Sequence, residues 1–138
     1  MTSHLAKQLM EHEGIRLKPY RDTVGKLTIG VGRNLDDVGI SMAEAMLLLQ
    51  NDIQTVRLIL SGFEWYPKLD KVRQDVVTDM CFNLGPSGFA LFTKMLDALK
   101  AGDYDTAAAE MLRSKWAGQV KGRAVRLAKM MRTGERQG

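Results

Sequence analysis

EGIRLKPYRDTVGKLTIGVG, residues 13–32, is the stretch that decides the fold. Within it, Lys26 to Gly32 alternates apolar with small or polar residues, the period of a half-buried strand, and Asp22-Thr23-Val24-Gly25 just before supplies turn chemistry. The segment from Pro19 to Leu35 therefore reads as a small hairpin sheet. On its N-terminal side the periodicity predicts a helix from an N-cap at Ser3 to about Glu13, with Leu5, Leu9 and Met10 facing inward and Gly14 as the stop. On its C-terminal side Ser41-Met42-Ala43-Glu44 is a capping-box pattern. The series Met46, Leu49, Ile53, Val56 and Leu60 then keeps helical spacing until Gly62. Phe63 to Leu69, aromatic and holding Pro67, reads as a connection. A further helix should start near Asp70, turn Val72, Val76, Val77 and Met80 inward, and stop at Gly85-Pro86. Shorter helices are expected over about Thr93–Ala101, Asp103–Ser114 and Lys121–Arg132, with Gly102 and Gly134 ending the first and last. One small antiparallel sheet among many helices is an α+β arrangement.

The chain has 138 residues, 45% hydrophobic and 26% charged, which fits a globular domain built on one core and excludes disorder. No run approaches the roughly 18 to 20 apolar residues of a membrane helix. The opening MTSHLAKQLMEHEG lacks the apolar segment and cleavage site of a secretory signal, so synthesis in a cytosol is expected. Cys81 is the single cysteine; it excludes an internal disulfide and reads as a buried small hydrophobe. His4 and His12 form no cluster with metal-ligand spacing, and neither a metal nor a cofactor is expected. The net charge of +4 is uneven. Residues 111–138 hold eight Lys/Arg against Glu135 alone, a net +7, which leaves −3 for residues 1–110. A polyanionic partner follows, whether nucleic acid, anionic lipid or cell-wall polymer, and charge alone does not choose among them.

Three residues of the opening stretch carry chemistry. Glu13 falls in the last turn of the first helix, where an anionic side chain meets the negative end of the dipole, so local stability does not favour it. That position also fits an ordinary surface glutamate. Nine residues later Asp22 lies in the hairpin turn, and six after that comes Thr28. Two carboxylates flanking a bond are what glycoside hydrolysis requires, one to protonate the leaving oxygen and the other to activate water or attack the sugar. Taken as spacing alone, the pair also fits plain turn chemistry.

Residues 13–32 resemble the active-site segment of the phage-type lysozymes, glycoside hydrolase family 24: Glu-Gly, Leu-Lys, an aromatic, Asp, then Thr-Ile-Gly-x-Gly at matching separations. Phe82-Asn83-Leu84-Gly85, Ser114-Lys115-Trp116 and Arg132-Thr133-Gly134 extend the resemblance over nearly the whole chain. It implies a lysozyme-like two-lobed α+β fold in a single domain, residues 1–138. The sheet lobe would cover about 14–40, a long connecting helix about 41–60, and a helical lobe about 1–13 and 63–138, with the glycan strand clamped between the lobes. It further implies a muramidase that cleaves the β-1,4 bond between N-acetylmuramic acid and N-acetylglucosamine in peptidoglycan. Glu13 would be the general acid, Asp22 the carboxylate assisting water, and Thr28 the hydroxyl that helps hold it. Inversion is expected of the family, which on physical grounds needs carboxyl groups roughly 6.5 to 9.5 Å apart. Arg123 would orient Glu13. Asn34, Phe82, Asn83, Trp116 and Gln119 would line the sugar groove, since aromatic faces suit pyranose rings and amides suit acetamido groups; for Trp116 core packing competes.

Two departures stand out. Arg33 replaces a family histidine, and an ion pair with Asp52 is expected in place of the histidine's own. Only Asn34 to Ile40 separates the sheet from the Ser41 capping box, a shorter stretch than in larger members, so the sheet lobe and one groove wall should be abbreviated. The resemblance also implies an endolysin, made in the host cytoplasm and released to the cell wall through a holin-opened membrane. It would act as a monomer, without nucleic acid and without stable membrane insertion. The competing readings are a non-catalytic glycan-binding or phage structural module of the same fold, and a helical nucleic-acid binder suggested by the basic C-terminal region alone.

Overall fold

Ser3 caps the first helix: its Oγ accepts from the Ala6 amide at 3.0 Å, and α1 runs His4–Glu13 before Gly14 ends it. The computed structural model describes residues 3–137. Three strands follow, β1 Arg16–Arg21, β2 Leu27–Gly30 and β3 Arg33–Asn34, antiparallel in the order β1-β2-β3. Thr28 pairs with Tyr20 on one side and Asn34 on the other. Pro19 is tolerated because β1 is an edge strand whose register slips between Arg16 and Tyr20. The sheet thus begins three residues before the turn-rich segment suggested.

The helices are α2 Met42–Leu60, α3 Lys71–Ala90, α4 Thr93–Ala101, α5 Tyr104–Arg113, α6 Lys115–Val120 and α7 Gly122–Thr133, with a 3-10 turn over Tyr66–Lys68. Seven helices and one three-stranded sheet among the described residues make the fold α+β. Two details differ from the sequence reading. Helix α3 does not end at Gly85. The backbone leaves helical angles there (φ 78°, ψ 162°), and Pro86, which tolerates a first-turn position, restarts it until Ala90. Helix α6 was unforeseen: Ser114 serves as its N-cap, accepting from the Ala117 amide at 3.2 Å, after already ending α5.

The chain forms two compact units, residues 1–48 and 49–138. The second holds the hydrophobic core, in which Val76, Val77, Met80 and Cys81 of α3 pack with Phe89, Met95, Met111, Leu127 and Met131. Burial pushes the Cys81 thiol above its ordinary pKa, as expected of an inert core cysteine. Arg73 of α3 ties this unit together. Its Nε donates to the Met131 carbonyl at 2.6 Å and its Nη2 to the Arg132 carbonyl at 3.0 Å, so a guanidinium caps the C-terminus of α7. The same group pairs with Asp70 at 3.0 Å and lies 3.9 Å from the centre of the Tyr104 ring.

The first unit has no such core. Thr28 is its one buried residue among those described, and α1 buries none: Leu5 and Leu9, expected to face inward, are 61% and 44% exposed. A sheet of strands six, four and two residues long offers too little apolar surface to close over a helix. Hydrogen bonds order the unit instead. Ser41 and Glu44 complete the capping box reciprocally, at 2.9 and 3.1 Å. Arg33 reaches Glu44 at 2.7 Å and the Gly39 carbonyl at 3.1 Å. The carboxylate that holds Arg33 is therefore Glu44 and not the expected Asp52, because the short 34–40 connection returns the start of α2 to β3. Arg33 and the Ser41 amide hold the Glu44 carboxyl down to a pKa of about 2. Since the folded value lies below the ordinary one, this contribution is fully present above about pH 4.5 and is lost as pH falls towards about 2. The Ser41 amide proton should accordingly titrate in an NMR series with a midpoint near 2, and Glu44→Gln should abolish that titration.

Candidate active site

The turn after β1 fixes two of the expected residues through one intermediate, the main chain of Lys26. Its amide donates to Asp22 Oδ1 at 2.8 Å, and its carbonyl accepts from the Asp22 amide at 2.9 Å and from Thr28 Oγ1 at 2.9 Å. A second amide, that of Val24, donates to the same Asp22 Oδ1 at 3.0 Å. Two consequences follow. Asp22 Oδ1 is held rigidly while no hydrogen bond engages Oδ2 among the described residues. Thr28, 3% exposed, has given its only hydroxyl proton to Lys26, so its oxygen can serve other groups only as an acceptor.

Glu13 closes α1, and its carboxyl end lies against Gly32 in the turn after β2. A Cβ built on Gly32 would come within 2.9 Å of Glu13 Oε2. Asn34, on β3, spends both ends of its amide on one neighbour: Nδ2 donates to Asp37 Oδ2 at 3.0 Å, and Oδ1 accepts from the Asp37 amide at 2.9 Å.

The other expected residues belong to the second unit. Phe82 of α3 is 43% exposed and lines a groove of about 380 Å³ together with Leu49, Ile53, Thr78, Asp79 and Arg123. Asn83 accepts at Oδ1 from Trp116 Nε1 at 2.8 Å, which leaves its Nδ2 free to donate. Trp116 itself is 3% exposed, with its ring edge-on to Phe92 at 6.3 Å. It is a core residue that anchors Asn83 and presents no face for a sugar. Gln119 is exposed on α6. Arg123 is engaged by Asp79, at 2.9 Å from its Nε and also through Nη2. Sequence reasoning missed Asp79. The available signal was its i, i+3 spacing from Phe82, which places both on one face of α3.

The small antiparallel sheet, a glutamate ending the first helix and an aspartate locked in the following hairpin define an α+β fold of the lysozyme kind. Residues 10–133 match the family described as phage lysozyme, and the chain belongs to that family. Among its relatives, the pre-baseplate central spike protein Gp5 of Enterobacteria phage T4 is 31% identical over 94% of this chain, which spans only 28% of that protein's length. The endolysin of Salmonella phage P22 is 35% identical, with 86% of each chain covered. The SAR-endolysin of Escherichia phage Mu is 33% identical over 88% of this chain and 75% of its own.

Proposed function

We propose that the protein is a muramidase that hydrolyses the β-1,4 bond between N-acetylmuramic acid and N-acetylglucosamine in bacterial peptidoglycan. The observation that carries this reading is the Lys26 lock, which holds an aspartate and a threonine rigidly in the hairpin that follows a helix-terminal glutamate. Glu13 gives its proton to the glycosidic oxygen as the bond to the muramic acid C1 breaks. Water forms the new bond to C1 and loses its proton to Asp22, whose Oδ2 is the unengaged oxygen. Thr28 accepts a hydrogen bond from that water, the one role open to its oxygen.

Phe82 supplies a ring face for the glycan, and the free Nδ2 of Asn83 suits an acetamido carbonyl; Gln119 and, in the first unit, Asn34 offer further amides for glycan. Asn34 must give up Asp37 to do so. Arg123, expected to orient Glu13, is held within its own unit by Asp79. Inversion at C1 is part of the proposal. Incubating purified peptidoglycan with the protein and identifying the new ends tests it: reducing muramic acid ends in the α configuration at first release are expected, and β ends would refute inversion. Asp22→Asn should lower turnover by about 10²-fold or more, with binding to insoluble peptidoglycan retained; wild-type turnover would remove Asp22 from the mechanism.

In the same proposal the protein is a monomeric endolysin, made in the host cytoplasm and reaching the cell wall once a holin has opened the membrane. Among the described residues no helix is long and apolar enough to cross a membrane. The likeness to the T4 spike protein favours a second reading, a non-catalytic glycan-binding or phage structural module of the same fold. Lysis from within an expressing host that depends on holin supports the first; glycan binding without release of reducing ends supports the second.

A further inference from the structure

The Gly-x-Gly after β2 contains two glycines with nearly the same backbone angle, φ 70° at Gly30 and 72° at Gly32, yet their surroundings differ. A Cβ on Gly30 would meet nothing within 4 Å. One on Gly32 would meet Glu13 along its length: Oε2 at 2.9 Å, Cδ at 3.4 Å and Cγ at 3.5 Å. Real Cβ atoms do not approach an oxygen that closely, so something would have to move. The group that would move is the end of a flexible glutamate, which retreats at little cost to the fold. The crowding would add little to the strain that a side chain meets at this backbone angle, while the position of the carboxyl would be lost.

We propose that Gly32 is a positioning residue for the proton donor, its missing side chain forming the niche in which the Glu13 carboxyl rests. The assignment rests on the reading of Glu13 as general acid. Gly30 is needed for its backbone angle alone, whereas Gly32 is needed for its angle and for the space. A displacement of about 1 Å in a catalytic group costs on the order of 10²-fold in rate, and it does so without weakening ground-state binding.

The test compares Gly32→Ala with Gly102→Ala. Gly102, the C-cap of α4, has the same φ of 72° and open space around it, so it carries the backbone strain without the crowding. Expected for Gly32→Ala is a fall in kcat of about 100-fold with KM within about twofold of wild type, and a loss of melting temperature similar to that of Gly102→Ala, which keeps its turnover. The Glu13 carboxyl carbon, labelled with 13C, should shift its NMR resonance in Gly32→Ala and not in Gly102→Ala. Should Gly32→Ala fail to fold, Gly32→Asn replaces it, because asparagine tolerates positive φ yet still fills the niche. An unmoved Glu13 resonance in a folded Gly32 variant overturns the proposal whether or not the protein turns over. Wild-type kcat in that variant does so as well. A wild-type protein that releases no reducing ends sinks the muramidase reading, and the resonance still decides the niche.

Discussion

Glu13→Gln should lower the release of reducing ends from purified peptidoglycan by about 10³-fold while leaving the melting temperature essentially unchanged. The substitution is close to isosteric, so the niche against Gly32 stays filled. The side chain is exposed at the end of α1 and takes part in no hydrogen bond among the described residues that the exchange would break. What disappears is the transferable proton. Expulsion of a sugar alkoxide without protonation is the step the proposed mechanism exists to avoid, which is why one atom's exchange should outweigh any effect on binding. Retained affinity for insoluble peptidoglycan would confirm that the loss lies in chemistry. Equal hydrolysis by wild type and Glu13→Gln would take the proton donor away from this residue, and with it the functional reading of the hairpin.

Arg73→Ala should destabilise the second unit by about 3 kcal/mol, or roughly 10 °C in melting temperature for a chain of this size. The guanidinium satisfies two carbonyls at the end of α7, where no main-chain partner exists, pairs with Asp70 and covers the Tyr104 ring. One planar group of α3 thereby ties α5, through the Tyr104 ring, to the main-chain end of α7. Arg73→Lys keeps the charge but loses the fork that reaches both carbonyls, and should recover less than half of the loss. Thermal melts of the three proteins measure this directly, and a drop of less than about 3 °C for Arg73→Ala would show that the cap is dispensable.

Much of the secondary structure was legible because its signals are local. Ser3 and Ser41 act as N-caps through their own hydroxyls, and Asp70 does so through its carboxylate. Thr93–Ala101 begins and ends where the periodicity put it. The hairpin followed from alternation and a four-residue turn. What escaped notice was structure in which one residue serves two elements. Ser114 ends α5 and starts α6, and Gly85-Pro86 interrupts α3 without finishing it. A stop signal and a start signal placed together look, in sequence, like a stop alone.

The amino-acid order alone determined the α+β class, the positions of Glu13, Asp22 and Thr28 on a helix end, a turn and a strand, and the family these residues mark. Each depends on neighbours within a few positions, whose backbone preferences and hydrogen bonds act before any distant contact forms. Tertiary structure decided the pairings. Arg33 took Glu44 and Arg123 took Asp79, Trp116 went into the core to hold Asn83, and Gly32 came to face Glu13 across nineteen positions of chain. Charges and indoles accept many partners of suitable chemistry, so their choice is made by which of them the folded backbone brings within reach.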